Sequence, residues 1–116
     1  MDMVQETSSL IAGVPELLIL RLLQDREMYG YEIVRAIGAS TSGSLTLAEG
    51  VVYPVLHDLK RDGALKSRRR TVEGRSRVYY TLTAAGRARL ATLTRTWKTL
   101  TDAIQSLLGG GNVKTV

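Results

Sequence analysis

Gly50, Tyr53, Pro54, His57 and Arg61 fall on one side of a helix when the stretch TLAEGVVYPVLHDLKRD, Thr46–Asp62, is wound at about 100° per residue. Val52, Val55, Leu56 and Leu59 fall on the other side and ask for a core. An imidazole, a phenol and a guanidinium beside a glycine and a proline are unusual on a solvated face, where Glu and Lys are the rule. Together they suit a flat, charged, hydrogen-bonding partner. The phenol and the imidazole can reach a phosphate or a base edge, and the guanidinium at the far end of the face a phosphate; the other readings are a Tyr53 ring folded under the strands that follow and a His57 that is simply exposed. Gly50 permits close approach of another backbone. Thr46, three residues before Glu49, reads as a capping-box start and joins this candidate contact set. Pro54 has no N–H to donate, so the same stretch predicts either a kink or a later helix start.

Gly63 closes that helix, and Leu65–Leu82 reads as two strands around a turn with Glu73 and Gly74 at its tip. Val78, Tyr80 and Leu82 alternate with Arg77, Tyr79 and Thr81, the period of a half-buried strand. Lys66, Arg68, Arg69, Arg70, Arg75 and Arg77 edge the hairpin. Arg75 and Arg77 flank the tip and are better placed for a phosphate backbone than Arg69, whose strand parity points it inward; Arg68 and Arg70 are further phosphate candidates. A helix with such an outer face, followed by an arginine-edged hairpin, is the pattern of a winged helix-turn-helix. In that arrangement the helix enters the major groove of DNA while the hairpin, the wing, reaches the neighbouring backbone or minor groove.

Charge distribution agrees with that reading. The net charge is +5, but residues 1–59 hold three Lys or Arg against eight Asp or Glu, and residues 60–116 hold thirteen against three. Nucleic acid is favoured over a merely solvated basic face because the positive charge abuts the outer face of the helix. A membrane partner is disfavoured: Val14–Leu23 is short and broken by Pro15, Glu16 and Arg21, and no basic amphipathic anchor helix is evident. Absence of cysteine excludes a disulfide framework and thiolate chemistry, and fits a cytoplasmic setting. One histidine and no clustered carboxylate pair leave too few ligands for a metal site within one chain. Neither a nucleophile elbow nor a phosphate-cradling glycine loop is present, so no catalytic residue and no cofactor is expected.

The remaining elements must position these residues. Residues 1–12 carry no strong periodicity and form an N-terminal arm, either partly disordered or adding a turn or two of helix at Leu10 and Ile11. Pro15 suits the first turn of a helix running to about Gln24, apolar nearly all round and therefore the buried strut of the domain. Asp25–Met28 reads as a polar turn. Gly30 opens a second helix with Ile33, Val34 and Ile37 inward, and Gly38–Ser44 is the turn into the recognition helix. Residues 13–83 thus form the winged helix-turn-helix domain. Thr83 caps a helix from Ala84 to about Leu108, ended by Gly109, Gly110 and Gly111. Leu90, Leu93, Trp97, Leu100, Ile104 and Leu107 recur along it at spacings of three and four, a heptad stripe. Such a helix is about 37 Å long, more than the preceding residues can cover, so residues 84–108 are expected to be a dimerisation helix and residues 109–116 a flexible tail. Trp97 has two readings: filler of the dimer seam, or an indole that props two helices apart and walls a pocket for a small planar aromatic effector.

Four segments carry a family resemblance: LLILRLL at Leu17–Leu23, MYGYEIVRAI at Met28–Ile37, LAEGVVYPVLHDLKRDGAL at Leu47–Leu65 and GRSRVYYTLTAAGRARL at Gly74–Leu90. In that order and at similar separations they resemble the PadR family of bacterial transcriptional regulators, over most of Gly13–Leu108. The pattern GxxYPxLxxLxxxG at Gly50–Gly63 is the specific part; YYxLTxxGR at Tyr79–Arg87 is shared in outline with other winged-helix families. The resemblance implies a winged helix-turn-helix with a C-terminal dimerisation helix, usually in a repressor released by a small molecule. It also implies DNA contacts by Gly50, Tyr53, Pro54 and His57 on the helix and by Arg75 and Arg77 in the wing. Val51 departs from the family pattern, which has a small hydroxyl residue there. The single short C-terminal helix points to the small branch of the family, so a ligand site would lie between subunits near Trp97.

The sequence therefore predicts a mainly α chain with a small β-hairpin, a winged helix-turn-helix plus a long C-terminal dimerisation helix. Its expected function is that of a homodimeric repressor on a roughly palindromic double-stranded DNA operator. The alternative is a winged-helix module that binds protein and not DNA, against which the arginine-rich wing argues.

Overall fold

Leu17–Leu23 present apolar side chains on nearly every side of one helix, and the fold is packed around them. The computed structural model describes residues 3–109, with side chains from Gly13 onward. Element order is α1 (Met3–Asp25), β1 (Met28–Tyr29), α2 (Gly30–Ser40), α3 (Glu49–Arg61), β2 (Leu65–Val72), β3 (Arg75–Leu82) and α4 (Ala84–Leu108). Ile19 and Leu20 of α1, Ile33 of α2, and Val52 and Leu56 of α3 are wholly buried together. The architecture is mainly helical with a small antiparallel sheet, as expected, and no described helix is long and apolar enough to cross a membrane.

Two boundaries differ from expectation. α1 starts at Met3, so Pro15 lies inside it rather than at its first turn. Proline removes one backbone bond there, and the helix continues through it, held by its buried C-terminal half. Met28, expected as the last residue of the polar turn Asp25–Met28, instead opens a strand with Tyr29: β1 pairs with β3, Met28 opposite Tyr80 and Tyr29 opposite Tyr79, giving the sheet order β1-β3-β2. Met28 is buried, which a turn would not achieve. All of the expected tail at 109–116 but Gly109, and the first two residues of the arm, lie outside the described residues.

α4 begins and ends where its local signals predict. The Thr83 hydroxyl accepts from the Gly86 N–H at 3.0 Å, and Gly109 follows the last turn. The hairpin closes on Glu73 and Gly74 with φ of 52° and 78°, two left-handed residues between paired Val72 and Arg75. That is the two-residue turn whose twist matches the strands it joins.

Candidate nucleic-acid interface

Three glycine-centred contacts fix α3 relative to its neighbours. At its C-terminus, Gly63 takes φ +85° and donates to the Lys60 carbonyl at 3.1 Å, while the Ala64 N–H donates to the Leu59 carbonyl at 2.9 Å. This pair of bonds is the Schellman closure, and it turns the chain directly into β2. The same corner then carries α4. The Thr83 N–H donates to the Ala64 carbonyl at 3.1 Å, and the Thr83 hydroxyl donates to the Gly63 carbonyl at 2.6 Å. Gly86 comes so near that a Cβ there would lie 2.1 Å from the Ala64 carbonyl oxygen. Arg89 of α4 adds bonds to Glu16 of α1 and Asp62 at the end of α3, and those carboxylates hold its guanidinium more firmly protonated than usual. At the other end, the Tyr53 ring lies on Gly30, the first residue of α2.

The start of α3 corrects the capping-box expectation. The helix begins at Glu49, with Ala48 as its N-cap and no side-chain cap. Its first bonds run from the Val51 and Val52 N–H groups to the Ala48 carbonyl. Thr46 lies before the helix, exposed. The start is two residues later than a Thr46 cap would give, yet Pro54 still lies inside the helix, at its sixth residue.

Val52, Leu56 and Leu59 face the core as predicted, and Val55 packs at its margin. Gly50, Pro54, His57 and Arg61 are exposed on the opposite side. Gly50 differs from Gly30 and Gly86, since a Cβ added to it would meet nothing within 4 Å. Arg61 is engaged with Asp58 and Asp62 at 3.0 and 3.4 Å, on the surface.

Tyr53 does not project as its membership of the outer face suggested. It is half-buried between Gly30 and the sheet, and with His57, Ser76, Arg77 and Tyr80 it lines a cleft of about 350 Å³ between α3 and the wing. Burial, then the charges of Glu49 and Tyr29, pushes its phenol above the ordinary range; burial does the same to Tyr80, reinforced by Tyr53. At neutral pH both hydroxyls are therefore intact donors.

On the wing, parity and length together decide which arginines are available. Arg69 pairs with Val78 and shares the face of Leu65 and Leu82, as its parity predicted. At that point, however, the hairpin has run past the core, so Arg69 is exposed, with one bond to Ser76 at 3.2 Å. On the reverse face, Arg68 and Arg70 both bind Glu27, and Arg68 first, with Arg70, holds that carboxyl below its usual range against the opposing effect of burial. These two expected phosphate candidates are thus already committed to a carboxylate. Arg77 lies 4.4 Å from the Tyr29 ring centroid and Arg70 4.5 Å from that of Tyr79, and the two rings meet edge-on at 5.4 Å. Tyr79, on the opposite face of the strand from Tyr80, is consequently buried as well. Among the described residues, Arg69, Arg75 and Arg77 pair with no carboxylate.

Along α4 the apolar stripe leaves the core. Leu90 is buried and Leu93, Trp97 and Leu100 are partly covered, while Ile104 and Leu107 are 47% and 70% exposed.

Comparison with known proteins gives a consistent set of likenesses. Residues 19–92 match the model of the transcriptional regulator PadR-like family. Transcriptional regulator Rv3488 of Mycobacterium tuberculosis is 35% identical over 92 residues, 79% of this chain and 80% of that protein. The crystal structure of smu.1704 from Streptococcus mutans covers 85% of this chain and 90% of its own at 31% identity, with a TM-score of 0.77. Bacillus subtilis PadR, solved in complex with operator DNA, is similar over 68% of this chain and 45% of its own, at 26% identity and a TM-score of 0.63.

Proposed function

The chain belongs to the PadR-like family of transcriptional regulators, and from that premise we propose that it acts as a homodimeric repressor on double-stranded DNA. It is accordingly a regulator and not an enzyme. The observation that carries the DNA reading is the set Arg69, Arg75 and Arg77, free of carboxylate partners on a wing beside the exposed face of α3. Arginines in that state can exchange condensed counterions for phosphates, whereas arginines already paired cannot do so freely. Gly50 supports the same reading, because no intramolecular neighbour explains it and an approaching DNA backbone or base edge would.

In this mechanism α3 enters a major groove, the exposed His57 contacts phosphate or base with the Tyr53 ring backing the cleft beside it, and Arg75 and Arg77 hold the flanking backbone. Thr46, Pro54 and Arg61 border the contact, with Arg61 exchanging Asp58 and Asp62 for a phosphate. The exposed Ile104 and Leu107 support pairing of two α4 helices through the Leu90, Leu93, Trp97, Leu100, Ile104 and Leu107 stripe. Two-fold pairing presents two α3 helices to half-sites about one helical turn apart, hence a roughly palindromic operator. Trp97 within that stripe is the candidate wall for a planar aromatic effector, whose insertion would alter the spacing of the two α3 helices and release the DNA. Such a regulator works in the cytoplasm, where the DNA is. The unpaired arginines of the wing argue against a module that binds protein and not DNA.

Selection of bound fragments from the source genome, followed by sedimentation of the protein with the selected duplex, tests this. Two chains per duplex with two related half-sites are expected. Recovery of no preferred fragment would overturn the operator reading, and one chain per duplex would overturn the dimer.

A further inference from the structure

The outer surface of the first two turns of α3 consists of Glu49, Gly50, Val51 and Pro54, all exposed. Only Glu49 has a polar side chain. Val51 is 41% exposed, on the flank of the helix that would enter the groove, while its neighbour Val52 is wholly buried. Three positions further on, one turn along the same surface, stands Pro54, which offers neither a side-chain donor nor an N–H. The one arginine of α3, Arg61, is at the C-terminal end and is engaged with Asp58 and Asp62. No arginine is therefore available in the first two turns for the bidentate contact with guanine that is the commonest specific readout.

The 5-methyl of thymine is the one apolar group that projects from the major-groove edges of the four bases; apart from the small C5–H of cytosine, the other features are hydrogen-bond donors or acceptors, which a β-branched apolar side chain would desolvate without replacement. We propose that Val51 reads the methyl group of a thymine, with Pro54 as its apolar neighbour, so that α3 selects its site by methyl contact and not by arginine on guanine. This inference rests on the DNA-binding reading given above. It makes Val51 a specificity-determining residue, and it accounts for an apolar residue left exposed on a helix whose other valines are buried or half-buried.

The test uses the full chain and a duplex selected by it from a random-sequence library. Each thymine of that duplex is replaced singly by uracil, which removes the 5-methyl group and keeps every hydrogen-bonding atom. One position in each half-site should lose about fourfold in affinity, the transfer free energy of a single methyl group. Against Val51→Ala the same replacement should have little effect, so that thymine and uracil duplexes bind that variant equally. A uracil scan that is flat across both half-sites, or a methyl effect that persists undiminished in Val51→Ala, would overturn the inference while leaving DNA binding intact. Failure to select any preferred sequence would instead remove the operator reading itself, and this inference with it.

Discussion

The ring of Tyr53 rests on the Cα of Gly30, close enough that a Cβ at position 30 would lie 2.4 Å from Tyr53 Cε1. The contact joins the first residue of α2 to the middle of α3 and brings the phenol under the wing. Gly30→Ala must displace the ring and should cost about 1–3 kcal/mol. Gly86→Ala should cost at least as much, because its Cβ would meet a backbone carbonyl at 2.1 Å, which cannot rotate away as a ring can. Chemical denaturation of the two variants measures this. A Gly86→Ala protein as stable as the parent would show that the corner between α3 and α4 is looser than described.

Tyr53 also sets an expectation for alkaline pH. Its phenol titrates above the ordinary tyrosine value in the folded chain, as does that of Tyr80. The unfolded chain thus loses these protons first, and their contribution to stability is complete below about pH 10 and lost as pH rises through the folded values. Unfolding free energy should fall from about pH 10 upward. Tyr53→Phe should be near the parent at pH 7 and fall less steeply in alkali; an identical alkaline slope would mean that the Tyr53 hydroxyl is not shielded.

Gly50 separates stability from binding. Nothing surrounds it in the folded chain, so Gly50→Ala should leave the fold intact and add roughly 0.5–1 kcal/mol of helix propensity. DNA affinity should nevertheless fall, because the new methyl stands between α3 and the groove. Thermal melts and gel shifts on the same sample decide this, and a variant that gains stability and keeps full affinity would remove Gly50 from the interface.

Much of this architecture is legible in local sequence signals, and its exceptions have a common physical cause. Thr83 and Gly109 delimit α4, and Glu73 and Gly74 delimit the hairpin, because caps and two-residue turns are decided by the residues that form them. The buried face of α3 is equally readable, since Val52, Leu56 and Leu59 share one side at helical spacing. Both directions stay open for Tyr53 in the sequence because it sits at the edge between the two faces, where helical period alone cannot assign a side. Its direction is decided by Gly30, on another helix. The same holds for Arg68 and Arg70, whose partner Glu27 is 41 and 43 residues away in the chain. Strand parity gave Arg69 its face correctly, yet exposure depends on where the core stops. Two-residue β1 is too short for any period to reveal it.

The exposed end of α4 predicts its own consequence. Leu100→Asp would set a carboxylate in an apolar seam, a burial that costs several kcal/mol or forces the seam open. Dimerisation should be lost, and operator affinity with it. Trp97→Ala discriminates between the two roles of the indole. As seam filler, its loss should cost roughly 3–5 kcal/mol; as a pocket wall, its loss should spare the dimer and abolish binding of planar aromatic compounds. Sedimentation of both variants, with fluorescence titration of Trp97 in the parent, measures the outcome. A Leu100→Asp chain that remains dimeric would place the seam elsewhere.

The salt dependence of binding to the selected duplex most directly tests whether the wing and α3 form a DNA-binding face. Log affinity should fall steeply and linearly with log salt concentration, and Arg69→Ala, Arg75→Ala and Arg77→Ala should each flatten the slope by about one unit. Arg68→Ala, whose guanidinium is held by Glu27, should change it much less. A slope unchanged in all three wing variants would contradict this face as the site of DNA contact.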